Sequence, residues 1–177
     1  MNLVLIGFRG AGKTTVGALL ARWLKRPFYD TDAMVQERSG ASIAAVVARG
    51  GWGAFRRLER EAVRDLAEKT DDAVIALGGG AVVDPENVRL LRGRGVFVYL
   101  AAAPEELIKR IAADGKTAPQ RPSLKGGDLV ADTLAALEER VPLYRSVADL
   151  VVETTGLTPP EAAQEIMGEL RLWPATR

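Results

Sequence analysis

Short apolar runs alternate with amphipathic stretches along the whole chain. Five runs have the composition and length of buried strands, at residues 3–6, 27–29, 73–77, 96–100 and 150–152. Apolar residues at helical spacing predict helices over about residues 13–24, 131–140 and 160–172, and helices that begin near residues 33, 43, 54, 85 and 104. This alternation predicts an α/β fold, in which a parallel sheet carries helices on both faces.

Glycine and proline mark the breaks between these elements. The glycine-rich residues 50–53 separate a short helix, which Ser42 could cap, from a longer one. Pro142 is expected to end or kink the helix over 131–140. The polar residues 114–127 lack apolar anchors and predict a mobile loop with three cations, Lys116, Arg121 and Lys125. No linker divides the chain, so we expect one domain over residues 1–177.

Residues 7–14 fit the phosphate-binding motif G-x-x-x-x-G-K-[ST], or P-loop. A predicted strand precedes them and a predicted helix follows, which is the order that the motif requires. The glycines let the backbone N–H groups and the helix N-terminus approach a phosphate closely. Lys13 can reach the β- and γ-phosphates, and Thr14 offers a hydroxyl ligand for Mg²⁺. The alternative, a glycine-rich turn that binds nothing, is disfavoured by this context.

Two further polar or glycine-rich clusters follow the second and third predicted strands. Because ligands of open parallel sheets bind at the carboxyl ends of the strands, these clusters should converge with the P-loop. If the chain is still extended at Asp30 and Asp32, both carboxylates point to one side. One could then lie near the metal while the other deprotonates a hydroxyl, although the spacing does not say which. The alternative role is capping the next helix.

The three glycines at 78–80 suit a tight turn or backbone N–H groups that approach a ligand, and the sequence leaves both interpretations open. Arg56, Arg121 and Arg140 could each be ordinary surface charges.

Composition narrows the chemistry that the chain can perform. With 24 Lys and Arg against 23 Asp and Glu, the formal net charge is +1, which favours neither nucleic acid nor an anionic membrane as a partner. The chain contains no histidine and no cysteine, so acid–base work falls to carboxylates, Lys, Tyr or metal-bound water. No run is long enough to span a bilayer and Met1 leads directly into a strand, so we expect a cytoplasmic protein.

Over nearly its whole length the chain resembles the shikimate kinases. The matching pieces, in order, are the P-loop, D-T-D at 30–32, Gly40 with Ser42-Ile43, F-R-x-x-E at 55–59, G-G-G at 78–80, R-P at 121–122 and R-x-P-L-Y at 140–144. Many nucleotide-binding proteins share the P-loop, whereas this ordered combination is much more specific.

The resemblance implies a fold and an activity. The fold is a three-layer P-loop fold, with a five-stranded parallel sheet in the order 2-3-1-4-5. A substrate-binding part would span about residues 32–60 and a mobile lid about residues 113–127. The activity is transfer of the γ-phosphoryl group of ATP to the 3-hydroxyl of shikimate, in aromatic amino-acid biosynthesis. The expected partners are the small-molecule substrates ATP and shikimate, and the expected cofactor is Mg²⁺. The protein is expected to be a monomer.

The resemblance also implies roles for individual residues. Residues expected to bind ATP are Gly10, Ala11, Gly12, Lys13, Thr14, Thr15, Arg110, Arg121 and Pro159. Residues expected to bind shikimate are Asp32, Arg56, Gly78, Gly79, Gly80 and Arg140.

Among these, Lys13, Asp32 and Arg121 would be catalytic, with Asp32 as the base and Arg121 reaching the phosphates from the lid. Arg56 and Arg140 would hold the shikimate carboxylate. Thr14 would bind Mg²⁺ directly and Asp30 through water, while Arg110 and Pro159 would flank adenine.

One departure from the family pattern is visible. The family usually has Gly-Glu where this chain has Gly51-Trp52, so the residues that support Arg56 locally differ from those of the family.

A kinase for another small hydroxy acid, such as gluconate, is the nearest alternative activity, but it would lack the D-T-D, F-R-x-x-E and G-G-G set. A regulatory GTPase would need Asn-Lys-x-Asp, and neither Asn2 nor Asn87 is followed by Lys. The intact Lys13, Thr14, Asp32 and Arg121 disfavour a non-catalytic ATP-binding module.

Overall fold

A five-stranded parallel sheet forms the centre of the computed structural model, which describes residues 1–114 and 128–172. The strands are β1 (Asn2–Ile6), β2 (Phe28–Asp30), β3 (Val74–Ala76), β4 (Gly95–Ala101) and β5 (Leu150–Glu153). Their order is β2-β3-β1-β4-β5, and all four pairings are parallel. The predicted class and sheet order are therefore confirmed.

Helices cover both faces of this sheet. They are α1 (Lys13–Leu24), α2 (Thr31–Ser39), α3 (Ile43–Lys69), α4 (Pro85–Leu91), α5 (Pro104–Ala113), α6 (Leu129–Val147) and α7 (Pro159–Leu172), with a 3₁₀ turn at Ala81–Val83. All five residues of β1 and all three of β3 are buried. Because successive side chains of a strand point to opposite faces, this continuous burial requires packing on both sides of the sheet.

Two helices, α3 and α6, contain residues at which the sequence predicts a break. The expected break within residues 50–53 is confirmed, because α3 bends at Gly51, where φ is 71° and ψ is 177°. The sequence predicts that Pro142 ends or kinks its helix; the first alternative is wrong, since α6 continues through Pro142 to Val147. Beyond the proline, Tyr144 and Val147 are buried in the main core, and this packing offsets the hydrogen bond that a proline removes.

The apolar core has two parts. The main part surrounds the sheet, and a small cluster of Val35, Ile43, Val46 and Phe55 lies between α2 and the bent α3. Trp52 packs against this small cluster from its rim. Within the described ranges, no helix is long and apolar enough to cross a membrane.

Gly17 is a site where packing against the sheet outweighs helix propensity. It is buried in α1, and a Cβ there would lie 2.5 Å from the Phe28 ring and 3.2 Å from Leu5 Cδ1. We expect Gly17→Ala to lower the free energy of unfolding by about 1–3 kcal/mol through overpacking. The control is Gly168→Ala in α7, where no atom lies within 4 Å of the added Cβ. This variant should be more stable by up to about 1 kcal/mol. Chemical denaturation measures both values, and equal stabilisation by the two variants would contradict this view of the α1–sheet contact.

Candidate active site

The P-loop connects β1 to α1 and is shaped to receive an anion. Gly10 and Gly12 have φ values of 79° and 88°, which side chains disfavour. Gly12 caps α1 without a side-chain acceptor, and the first turn of the helix has no acidic residue. The helix N-terminus therefore presents its N–H groups and partial positive charge to the loop. Lys13 Nζ donates to the carbonyls of Gly7 at 2.8 Å and Phe8 at 2.9 Å, so its charge lies within the curve of the loop.

Asp30 joins the P-loop helix to the start of α2. Its Oδ1 accepts hydrogen bonds from the backbone N–H groups of Asp32 at 2.9 Å and Ala33 at 3.2 Å, so it is the N-cap of α2. Its Oδ2 accepts from Thr14 Oγ1 at 2.6 Å. The capping alternative and a position beside the expected metal ligand are thus compatible, because each uses a different carboxylate oxygen.

Asp32 does not lie in an extended chain, and that premise for its orientation is wrong. The backbone turns into α2 at Thr31, and Asp32 occupies the first helical turn. Both Asp30 and Asp32 nevertheless line the same cleft above the P-loop. Only 8% of the Asp32 surface is exposed. A short helical turn, and not strand pleating, brings the two carboxylates together.

Most of the expected nucleotide-binding residues line this phosphate cleft. The lining includes Gly10, Gly12, Lys13, Thr14, Thr15, Asp30, Asp32 and Arg110. Ala11, within the loop, is buried. Arg110 is held by Glu106, at 2.9 Å, and by the Thr154 carbonyl, also at 2.9 Å. Pro159 is an exposed residue at the start of α7 and is not among the residues that line the cleft. Arg121 and nearly all of the expected lid lie outside the described residues.

An acceptor cleft opens beside the phosphate cleft. It is lined by the expected Asp32, Arg56, Gly79, Gly80 and Arg140, together with Phe8, Arg9, Ile43, Trp52, Phe55 and Glu59. Asp32 and Arg9 line both clefts. A carboxylate that is shared in this way can act on a group held in one cleft while it faces a phosphate held in the other.

Glu59 is a component of the site that sequence reasoning missed. It is fully buried, and its Oε2 accepts from Arg56 Nη1 at 2.5 Å. Burial raises the pKa of Glu59, while the Arg56 guanidinium opposes that shift. Arg56 also lies 5.2 Å from the Phe55 ring centroid and 5.8 Å from that of Trp52. The available signal was the spacing in F-R-x-x-E, which places an acid one helical turn after the arginine.

The glycines after β3 leave space for the charged side chains of the site. A Cβ at Gly78 would lie 2.6 Å from Glu59 Oε1 and 2.7 Å from Asp32 Oδ1. A Cβ at Gly80 would overlap the Arg56 guanidinium. A residue with a Cβ at either position would require these charged side chains to move. The glycines therefore let two carboxylates and a guanidinium converge on one loop, a reason that the sequence did not reveal.

Tyr144 connects α6 to this glycine loop. Its hydroxyl donates a hydrogen bond to the Gly79 carbonyl, and its ring stacks on Tyr99 with centroids 5.1 Å apart. Burial raises the pKa of the Tyr144 hydroxyl, so it stays protonated and keeps its role as a donor. Arg140, one turn earlier in α6, lies 5.7 Å from the Phe8 ring centroid, and its positive charge opposes the rise in the Tyr144 pKa. Tyr144 thus sets the position of the glycine backbone relative to Arg140.

Known proteins are similar to this chain in sequence and in fold. A family model described as shikimate kinase matches residues 9–171. A shikimate kinase of Moorella thermoacetica is 45% identical over 172 residues, covering 97% of this chain and 95% of the relative. A shikimate kinase of Syntrophus aciditrophicus is 41% identical over 174 residues, covering 94% and 89%.

Solved structures give the same result. Shikimate kinase from Acinetobacter baumannii, in complex with shikimate, has a TM-score of 0.90 and 34% identity, covering 99% of this chain and 95% of that one. Shikimate kinase from Aquifex aeolicus has a TM-score of 0.81 and 37% identity, covering 97% and 96%. The chain belongs to the shikimate kinase family.

Proposed function

We propose that the protein transfers the γ-phosphoryl group of ATP to the 3-hydroxyl of shikimate. The observation that carries this proposal is the position of Asp32, which lines both the phosphate cleft and the acceptor cleft, where Arg56 and Arg140 also lie. Membership of the shikimate kinase family supports the choice of ATP and shikimate as the two substrates.

On the nucleotide side, the P-loop amides and Lys13 bind the β- and γ-phosphates. Phosphoryl transfer passes through a loose transition state, so positioning and charge neutralisation supply most of the catalysis. Lys13 contributes a charge that the loop carbonyls already orient. Arg121 is proposed to add a second positive charge at the phosphates, and Arg110 and Pro159 are proposed to flank adenine; these roles rest on the family resemblance alone.

The adjacent oxygens of Thr14 and Asp30 fit a magnesium site. Mg²⁺ prefers oxygen ligands, and in kinases it uses one or two protein groups together with substrate phosphates. Thr14 Oγ1 and Asp30 Oδ2 are 2.6 Å apart at the phosphate cleft. Among residues 1–114 and 128–172, no cluster of three or more His, Cys, Asp or Glu side chains could hold a metal by itself. As the family resemblance implies, Thr14 would bind Mg²⁺ directly and Asp30 through water, and the ion would neutralise charge on the phosphates.

On the acceptor side, two guanidinium groups bind the carboxylate of shikimate. Arginine forks match a planar carboxylate, and Arg56 is already held in place by the buried Glu59. Gly79 and Gly80 approach the ring hydroxyls through their backbone. Asp32 accepts the proton of the 3-hydroxyl as that oxygen bonds to the γ-phosphorus and the bond to ADP breaks.

A substrate panel tests this proposal. ADP release would be measured with ATP and, separately, shikimate, quinate, gluconate and nucleoside monophosphates. We expect kcat/KM to be largest for shikimate, and ³¹P NMR should locate the new phosphate on the 3-hydroxyl. Preference for gluconate or a nucleotide, with the protein folded by circular dichroism, would overturn the proposed function.

Asp32→Asn should separate chemistry from nucleotide binding. The substitution keeps the shape of the side chain and removes the base, which should lower kcat by about 10²–10⁴-fold. ATP affinity, measured by calorimetry, should change little because the P-loop and Lys13 are intact. The matched control is Asp71→Asn, which removes the same charge from a carboxyl whose side chain is 85% exposed and should leave kcat unchanged. Lost ATP binding with normal shikimate binding would refute the role given to Asp32.

Tyr144→Phe should weaken acceptor binding through the glycine loop. The variant keeps the ring stacked on Tyr99 but leaves the Gly79 carbonyl without its donor, which should raise KM for shikimate by about tenfold. KM for ATP should stay within about twofold because the P-loop is not involved. The control is Tyr99→Phe, which removes the hydroxyl of the ring stacked on Tyr144 and leaves the bond to Gly79 in place. An equal rise in both KM values for Tyr144→Phe would indicate general loosening and contradict this specific role.

A further inference from the structure

The acceptor cleft has one charged side and one aromatic side. Its charged lining residues are Arg9, Asp32, Arg56, Glu59 and Arg140, and of these Asp32, Arg56 and Arg140 already have roles in the proposed reaction. Trp52 and Phe55 form the aromatic side, and the mechanism gives Trp52 no task. A large aromatic side chain at the edge of a binding cleft is a strong candidate for a specificity residue, because it offers rigid contact area with few rotatable bonds.

The backbone and the small cluster hold the Trp52 indole in place. The bend at Gly51 immediately precedes it, and a residue with a Cβ would be strained at the φ of 71° found there. The indole meets the Phe55 ring edge-on, with centroids 5.8 Å apart and an interplanar angle of 87°. It also packs against the small cluster between α2 and α3. This half-buried side chain is therefore pre-organised before any acceptor binds.

The same indole lies next to the group proposed to bind the carboxylate. Its centroid is 5.8 Å from Arg56 Cζ, within the range of a cation–π contact, and Glu59 fixes the other side of that guanidinium. A carboxylate bound at Arg56 would therefore lie beside the aromatic side of the cleft.

We propose that Trp52 determines specificity in the acceptor cleft, as an apolar wall that favours a carbocyclic acid over an open-chain polyhydroxy acid. This inference rests on the proposed function. Beside its carboxylate, shikimate carries a carbon–carbon double bond and a methylene, which can lie against the indole without losing hydrogen bonds. An open-chain acid such as gluconate has hydroxyls along its whole length. Some of them would meet the indole unpaired, which is unfavourable.

Steady-state kinetics of Trp52→Ala and Trp52→Phe test the proposed role of Trp52 in acceptor specificity. For Trp52→Ala we expect KM for shikimate to rise by about 10- to 100-fold, with kcat and KM for ATP within about threefold. Trp52→Phe should lie between it and the wild type. The ratio of the gluconate inhibition constant to KM for shikimate should fall by about tenfold or more in Trp52→Ala. The control is Trp23→Ala, which removes a 38% exposed indole from α1, outside both clefts, and should leave these values unchanged.

Fluorescence provides a second readout that does not depend on the stability of the alanine variant. The chain has three tryptophans, so Trp23→Phe with Trp173→Phe leaves Trp52 as the single reporter. Shikimate should then change the emission with a midpoint equal to its Kd, and Trp52→Phe alone should lose that response.

The possible outcomes separate this inference from the proposed function. An inactive wild type with shikimate would refute the proposed function. An active wild type whose KM and selectivity are unchanged in Trp52→Ala, or whose Trp52 emission does not respond to shikimate, would refute the wall and leave the function standing.

Discussion

A carboxylate with no exposed surface constrains the whole acceptor side of the site. Glu59 is buried completely, and a buried charge persists only where it is paired. Arg56 supplies the pair at 2.5 Å, and this contact orients the guanidinium toward the acceptor cleft. Glycines in the loop preserve this arrangement, because a Cβ at Gly78 or Gly80 would displace Glu59 or Arg56. The ion pair thus explains the loop sequence and the position of the proposed clamp together.

A second carboxylate joins the two halves of the site. Asp30 accepts from the Thr14 hydroxyl through one oxygen and from the first N–H groups of α2 through the other. The helix that follows carries Asp32, so the proposed base is positioned by the same group that contacts the proposed metal ligand. Through Asp30, the P-loop fixes where the reaction can occur relative to the acceptor cleft.

Local sequence patterns predicted much of this structure. The features that they missed depend on contacts between residues that are far apart in the sequence. The P-loop at 7–14 and the buried strands are readable from motif and periodicity, whereas the sheet order required the family resemblance. The role of Glu59 depends on a loop about 20 residues away, and Tyr144 bonds a residue 65 positions earlier. Hydrophobic periodicity predicts neither contact. The possibility that Pro142 ends its helix is wrong for a similar reason, because burial of the turn beyond it outweighs the local tendency of proline to end a helix.

In this account the acceptor cleft recognises a carboxylate through Arg56 and Arg140, and comparison of shikimate with its amide tests this recognition directly. The amide has nearly the same shape and no charge. Calorimetry of the wild-type protein should give a Kd for the amide about 100-fold or more above that for shikimate, because a charged pair is lost at Arg56 and Arg140. Equal affinities for the two compounds would contradict the account.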